Sequence, residues 1–412
     1  MKRKIALVCV AALAGTMMLT GCGSKEEGKA EAAGDGKAKV RFATWDVADD
    51  VDAQQALVDK FNEEHDDIEV TLEAYGSDFD TKISAGMGSG DTPDVVYMWN
   101  YPAYANGLEP LDEYIEKEGE DFKDNIYSTL WNYNSLDGTT YGMPVGFTTH
   151  ALFYNKDLFA EAGIDEPTDD WTWEDLKTAA KTIEEKTGQK GFAFQMKPDP
   201  YDFEMYLWSN GTAYCDEEGH LAGNIDSAES QEVFQMFQNM EKDGYAIATE
   251  KNGTDEFRAG TAAMYIYGSW SIGSLDKDGM NYGIAKIPSF EGKTSVSILS
   301  SSGLSISKDS KNKEAAWEFV KYWTGEECNK ARIGLELPVL NSVVESEGIM
   351  KEEKYAPFYK MLEQSDGHTP ASFLIEDWSE ISENLSLSFE QLFNPSAYMD
   401  VNEVLTEAAD AQ

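Results

Sequence analysis

Aromatic side chains recur where short apolar segments of this sequence end. The clearest case is an apolar run, Ala262–Ile266, which is followed by Gly268, Ser269 and Trp270. A glycine beyond each end favours a buried strand over a helix for this run. Ligands of open α/β folds bind beyond the carboxyl ends of strands. Trp270 is therefore a candidate to meet a ligand, although an isolated tryptophan is more often part of a core.

Three more tryptophans, Trp45, Trp99 and Trp208, have similar positions, and short polar residues accompany these aromatic rings. A sugar ring has apolar C–H faces and an equator of hydroxyl groups. It therefore suits a cleft with flat aromatic rings and a few converging hydrogen-bonding side chains. Amino acids or metal ions would instead require fixed charges.

Motifs for metal, cofactor or covalent chemistry are missing from the sequence. The histidines His65, His150, His220 and His368 lie far apart and outside any HExxH motif, which argues against zinc. The glycine cluster 86–90 fails the dinucleotide fingerprint, since Asp91 follows it, and no GxSxG motif is present. We expect no metal, no cofactor and no catalytic residue.

The composition indicates two domains and argues against nucleic-acid binding. The chain has 412 residues, of which 42% are apolar, enough for two hydrophobic cores. The formal net charge of −43 argues strongly against nucleic-acid partners. Two cysteines of the mature chain, Cys215 and Cys328, allow either a disulfide, as exported proteins form, or two buried thiols.

The N-terminus predicts export and a lipid anchor. Three basic residues precede an apolar segment that is too short to span a membrane comfortably, and the segment ends in Leu19-Thr20-Gly21-Cys22. This ending resembles the lipobox of bacterial lipoproteins. We interpret residues 1–21 as a signal peptide, Cys22 as the lipidation site and residues 22–38 as a flexible tether. The protein would then be held at the extracellular or periplasmic face of the cell membrane.

The start of the mature chain predicts a parallel sheet. Strand-like alternation in 39–44 and in 68–74 flanks a segment, 51–64, whose apolar residues recur at helical spacing. Capping-box spacing at Thr172 and Asp175 predicts one helix start, and Thr324 with Glu327 predicts another.

Taken together, the sequence closely resembles the bacterial extracellular solute-binding proteins of family 1, which serve ABC importers, mostly for sugars. The resemblance runs from about Val40 to the C-terminus. It is carried by the order and spacing of TPDVVYMWN (92–100), YANGLEPLDEYI (104–115), YGMPVGFTTHALFYNKDLF (141–159), AGIDEPTDDWTWEDL (162–176), FRAGTAAMYIYGSW (257–270) and SKNKEAAWEFVKYWTGEE (310–327).

The resemblance implies an α/β, two-lobed periplasmic-binding-protein-like fold of type II, with the ligand in a cleft that closes by hinge bending. We expect chain crossings near 145–150, 288–294 and 325–338. Lobe 1 would then comprise 39–147 with 290–330, and lobe 2 would comprise 148–289 with 331–412.

The resemblance also extends the set of candidate ligand-binding residues. Trp270 matches a tryptophan that commonly stacks on a sugar, Tyr201 falls in the aromatic segment of the second lobe, and Trp378 matches a C-terminal aromatic more loosely. Arg258 has a salt bridge as an equal alternative role, and Trp208 is balanced between cleft and core. The full set is Trp45, Asp46, Trp99, Asn100, Tyr201, Trp208, Asn210, Arg258, Trp270, Ser302 and Trp378.

The expected function is therefore capture of a sugar or oligosaccharide and its delivery to the transmembrane subunits of an ABC permease, by a monomer that does no covalent chemistry. The same fold could instead bind a polyamine or a glycerol phosphodiester. A surface glycosidase is the alternative from another class, and it would need a pair of carboxylates straddling the cleft.

Overall fold

The computed structural model of the protein describes residues 36–365 and 368–411, so the expected signal peptide and Cys22 lie outside the described residues. The strands are β1 (Ala38–Thr44), β2 (Ile68–Ala74), β3 (Val95–Met98), β4 (Ser135–Leu136), β5 (Thr139–Thr140), β6 (Met143–Asn155), β7 (Phe192–Gln195), β8 (Ala246–Thr249), β9 (Met264–Gly268), β10 (Tyr282–Ala285) and β11 (Leu299–Ile306).

The helices of the described residues are α1 (Asp49–Glu64), α2 (Phe79–Ser89), α3 (Tyr101–Tyr104), α4 (Asp112–Glu118), α5 (Glu120–Asp124), α6 (Ser128–Tyr133), α7 (Lys156–Ala162), α8 (Trp173–Thr187), α9 (Met205–Ser209), α10 (Ala228–Lys242), α11 (Thr254–Arg258), α12 (Ile272–Lys277), α13 (Lys313–Thr324), α14 (Glu326–Ala331), α15 (Asn341–Ser346), α16 (Ala356–Gln364), α17 (Ala371–Leu374), α18 (Trp378–Leu392) and α19 (Val401–Asp410). None of these described helices combines the length and apolar character needed to cross a membrane.

The first strand–helix–strand unit confirms the predicted parallel start. β1 and β2 pair in parallel, with Val40 opposite Val70 and Phe42 opposite Leu72. α1 connects them and buries Val58 and Phe61 completely. Period-2 alternation in the strands and helical spacing between them were the local signals, and most of the apolar residues that they select are buried, although Leu57 and Leu72 are only half-buried and Ala53 is exposed.

β6 organises the main sheet, whose strand order is β10-β6-β11-β3-β1-β2, with β9 also paired to β6. β6 pairs antiparallel with β11 as far as Thr149, and with β9 from His150 onward. All thirteen residues of β6 are buried. The sequence alone indicates a strand only for 151–154, because the preceding residues include proline, glycine and polar side chains and show no alternation.

Two hydrophobic cores lie on the two faces of this part of the sheet. Ala151 and Phe153 of β6 contribute to the first core, whereas Leu152 and Tyr154 contribute to the second. This division follows from the alternation of side chains along a strand. Residues 337–362 add mainly to the first core, and α18 and α19 add to the second.

One predicted capping box is confirmed and the other is wrong. Asp175 N–H donates to Thr172 Oγ1 at 3.3 Å, and Thr172 N–H donates to Asp175 Oδ2 at 2.8 Å. Thr324 instead ends α13, where its hydroxyl donates to Val320 O at 2.9 Å, and Gly325 caps α14.

The two mature-chain cysteines are free and buried. Burial raises the pKa of Cys215 to about 12 and that of Cys328 to about 11, so both remain thiols at neutral pH. Of the two possibilities that the sequence left open, the structure has the buried thiols. Within the described part of the chain, no group of three or more His, Cys, Asp or Glu side chains is placed to hold a metal ion.

Candidate functional site

A cavity of about 470 Å³, here called the central cleft, brings together four of the candidate residues: Trp45, Asp46, Trp270 and Ser302. Trp45 and Asp46 follow β1, Trp270 follows β9, and Ser302 lies within β11. The remaining lining residues are Asp50, Phe147, Thr148, Ser269, Gly273, Ser274, Lys277, Ser300, Gly334, Leu335 and Glu336.

Trp270 combines exposure with a fixed orientation. Its side chain lies in a 3₁₀ turn, Ser269–Ser271, directly after β9, and 48% of the residue is exposed. Tyr267 and His150 meet the indole at 90°, with ring centroids 5.0 and 5.6 Å away. A Cβ on Gly268 would lie 2.6–2.7 Å from indole atoms, so only glycine lets the ring lie against this backbone. Because its orientation is already fixed, the half-exposed indole loses little conformational entropy when a ligand binds.

Asp46 is a partly desolvated carboxylate that also lines the central cleft. Its Oδ2 accepts a hydrogen bond from Thr44 Oγ1 at 2.8 Å and another from the amide of Gln54. Burial raises the pKa of Asp46 to about 6; the nearby carboxylates Glu336 and Asp50 raise it further, and the two hydrogen bonds oppose the rise. Asp46 is therefore mostly ionised at neutral pH and can accept hydrogen bonds from a ligand.

Glu336 is a second carboxylate in this cleft, and the sequence analysis missed it. It accepts hydrogen bonds from Ser302 Oγ at 2.8 Å and from Arg332 Nε at 3.2 Å. The guanidinium of Arg332 is buried and also donates to the carbonyl oxygens of Trp323 and Val145, each at 2.9 Å. A Cβ on Gly146 would lie 2.6 Å from the Glu336 carboxyl carbon. Among 76 acidic residues, no local signal could have selected this one.

Four other candidates, Trp99, Asn100, Tyr201 and Trp378, line a second cavity of about 460 Å³, here called the side cleft. The ring of Tyr201 meets that of Trp99 edge to face at 6.3 Å, and its hydroxyl lies 3.4 Å from that of Tyr133. The side chain of Asn100 also caps α3, where it accepts a hydrogen bond from the backbone N–H of Ala103. The structure thus divides five of the six aromatic candidates between two cavities.

Trp208, Asn210 and Arg258 line neither cleft. Trp208 is 6% exposed and packs in the second core. The amide of Asn210 donates to Glu232 at 2.9 Å and its oxygen accepts from Lys293. Arg258 forms an ion pair with Asp278 at 2.6 Å. The hydrogen-bonding groups of Asn210 and Arg258 are therefore engaged within the protein.

Comparisons with known proteins agree with this architecture. The family model described as "Bacterial extracellular solute-binding protein" matches residues 45–330. The chain is 27% identical over 372 residues to a galactooligosaccharide-binding protein of Bacillus subtilis, covering 85% of this chain and 84% of that protein. It is 28% identical over 255 residues to an sn-glycerol-3-phosphate-binding periplasmic protein of Brucella abortus, covering 57% and 58%.

Among solved structures, a substrate-binding protein of an ABC system from Listeria monocytogenes, in complex with cycloalternan, superposes with a TM-score of 0.75 at 25% identity. The match covers 91% of this chain and 97% of that one. Such similarity confirms the predicted α/β fold with two lobes, that of type II periplasmic binding proteins. With the family model matching well over half of its length, the chain belongs to the family of bacterial extracellular solute-binding proteins.

Proposed function

We propose that this protein is the extracellular carbohydrate-binding component of an ABC importer, which captures a sugar or oligosaccharide and delivers it to the membrane permease. One observation carries the proposal: the half-exposed indole of Trp270 shares a cavity of about 470 Å³ with Trp45, Asp46 and Glu336. The relatives named for galactooligosaccharide and cycloalternan binding support the same ligand class.

The chemistry of the central cleft suits a neutral polyhydroxylated ligand. An indole offers an apolar surface to the C–H face of a sugar ring. Ionised carboxylates accept hydrogen bonds from hydroxyl groups, and such charge-assisted bonds are stronger than neutral ones. Asp46 and Glu336 are anchored by protein donors on one side, and each has further lone pairs for a ligand.

A phosphodiester ligand fits this cleft less well. Three carboxylates, those of Asp46, Asp50 and Glu336, line the cavity together with a single basic residue, Lys277. An anionic ligand would meet net repulsion there. A polyamine would find carboxylates beside aromatic rings, so this solute remains the second candidate, and the binding experiment below includes it.

We propose that the site binds its ligand without covalent chemistry, as expected for a family of solute-binding proteins. A glycosidase, by contrast, would hydrolyse the oligosaccharide that it binds. Product analysis after prolonged incubation of the protein with the best-bound glycan tests it, and release of shorter glycans would refute the proposal.

The lobe boundaries, the lipid anchor and the monomeric state are also proposals. We propose that the lobes move about the chain crossings, the first of which lies in β6 where its partner changes at Thr149 and His150. The packing of 337–362 against the first core favours assigning this segment to lobe 1 instead of lobe 2. We propose Cys22 as the site that anchors the protein to the membrane.

A thermal-shift screen of residues 23–412 against mono- and oligosaccharides, polyamines and glycerol phosphodiesters tests the proposed function. A ligand that binds only the folded state raises the melting temperature by mass action. We expect a saturable rise with one class of glycan, and loss of this rise in Trp270→Ala. The control is Leu387→Ala, which also removes an exposed apolar side chain but lies outside both clefts. A shift from a charged solute alone would refute the carbohydrate assignment.

A further inference from the structure

His150 is a fully buried histidine at the point where β6 changes partner. Thr149 is the last residue paired with β11, opposite Leu299, and His150 is the first residue paired with β9, opposite Gly268. The backbone N–H of His150 donates to Ser297 Oγ at 2.6 Å. Its pairing with Gly268 ties the backbone of His150 to β9, whose last residue lies against the indole of Trp270.

A single hydrogen bond orients the imidazole of His150. Its Nε2 lies 3.2 Å from Oδ1 of Asp202, and because a carboxylate only accepts, Nε2–H is the donor. Nδ1 is buried and has no hydrogen-bond partner among the described residues. The ring meets Trp270 at 90° with centroids 5.6 Å apart. Rotation of the imidazole would therefore disturb the contact that fixes the indole.

Asp202 connects this arrangement to the side cleft. It lies in a π-helical turn, Pro200–Glu204, and follows Tyr201 directly. Tyr201 contacts Trp99 edge to face and lies close to the Tyr133 hydroxyl. A continuous series of contacts, Trp270 to His150 to Asp202 to Tyr201, thus joins the aromatic rings of two cavities that share no lining residue.

We propose that His150 and Asp202 are a positioning pair that couples the two clefts, so that the orientation of Trp270 and the placement of Tyr201 depend on each other. Neither residue lines the central cleft or the side cleft. The pair therefore acts through the rings that it holds. This inference rests on the proposed function only in taking both clefts as parts of one carbohydrate site; the coupling itself is a property of the ligand-free protein.

Fluorine NMR of the mature, ligand-free protein labelled with 5-fluorotryptophan tests the coupling. Trp270→Phe identifies the Trp270 resonance. We expect Asp202→Ala and His150→Phe each to shift this resonance by more than its linewidth. Asp202→Asn should return it towards the wild-type position, because the amide oxygen still accepts from Nε2–H.

Transmission from the side cleft is tested in the same spectra. Tyr201→Ala should shift the Trp270 resonance in the wild-type background and leave it unmoved in the Asp202→Ala background. The resonance of Trp317, a distant buried tryptophan of the first core, should stay in place throughout.

The coupling is overturned if the Trp270 resonance keeps its wild-type position in His150→Phe, or if Tyr201→Ala shifts it equally in both backgrounds. Should Asp202→Ala not fold, His150→Phe replaces it as the background and leads to the same decision. Titration of the wild-type sample with glycans separates the two proposals. Absence of any spectral change with glycans counts against the carbohydrate function, whereas the mutant shifts alone decide the coupling.

Discussion

Asp46→Asn should stabilise the protein at neutral pH, because the native carboxylate is ionised in a partly desolvated position. The ordinary pKa of 3.8 is raised to about 6 in the folded state, chiefly by burial. Between these values the folded state binds more protons than the unfolded state, so the free energy of unfolding falls as the pH rises towards 6. Above that pH the ionised carboxylate lowers the free energy of unfolding by its full amount.

The size of the effect follows from the two pKa values. At ~1.4 kcal/mol for each pH unit, the gap between 3.8 and about 6 corresponds to a cost of about 3 kcal/mol at pH 7.5. At pH 4.5 the same linkage gives a cost of ionising Asp46 of about 1 kcal/mol. The stabilisation of Asp46→Asn should therefore shrink by about 2 kcal/mol between these two conditions. The amide oxygen keeps an acceptor for the Thr44 hydroxyl, so this hydrogen bond changes little.

Urea unfolding at pH 7.5 and pH 4.5 measures this difference for the wild type and the variant. Glu217→Gln, which removes an exposed carboxylate outside the central cleft, controls for the loss of one negative charge. If the stabilisation by Asp46→Asn is the same at both pH values, the carboxylate is not desolvated as argued. A pH-dependent gain would instead show that this residue costs stability in the ligand-free protein, as ligand-binding residues often do.

Three further predictions concern other parts of the chain. Gly268→Ala should weaken ligand binding in the thermal-shift assay, since its Cβ would lie 2.6 Å from the Trp270 ring; Gly88→Ala, whose Cβ meets nothing within 4 Å, should not. Burial raises the pKa of Glu204 from 4.5 to about 8, so the wild type should lose free energy of unfolding relative to Glu204→Gln as the pH rises between these two values; parallel urea-unfolding profiles over this range would contradict this. Cys22→Ala should move the protein from the membrane to the soluble fraction after cell fractionation, and retention in the membrane would refute the lipid anchor.

Local patterns were enough to predict the parts of the fold that are built from neighbours in sequence. The β1-α1-β2 unit and the capping box at Thr172 depend on spacings of two to four residues, and the structure has both. The second capping box failed because Thr324 continues α13 and bonds back to Val320. At that position helix propagation competes with capping for the same hydroxyl.

Some of the candidate residues line a cleft and others do not, for a related reason. Trp45, Trp99 and Trp270 follow strands, and a strand end is a local feature that places a side chain at the edge of a sheet. Trp208 and Asn210 share the local pattern of an aromatic followed by a polar residue, but they lie in and after α9, where both residues are buried and Asn210 bonds to Glu232. Their sequence neighbourhood carries no information on which face of the helix is covered.

The sequence determined, without the structure, that the chain is a member of a known binding-protein family, that aromatic rings follow its strands, and that no motif for metal or covalent chemistry is present. Tertiary structure alone decided which rings share a cavity, that Glu336 joins Asp46, and that His150 links Trp270 to the turn that carries Tyr201. The physical reason is that strand pairing and burial join residues far apart in the chain. The free energy of those contacts depends on partners that no local spacing encodes.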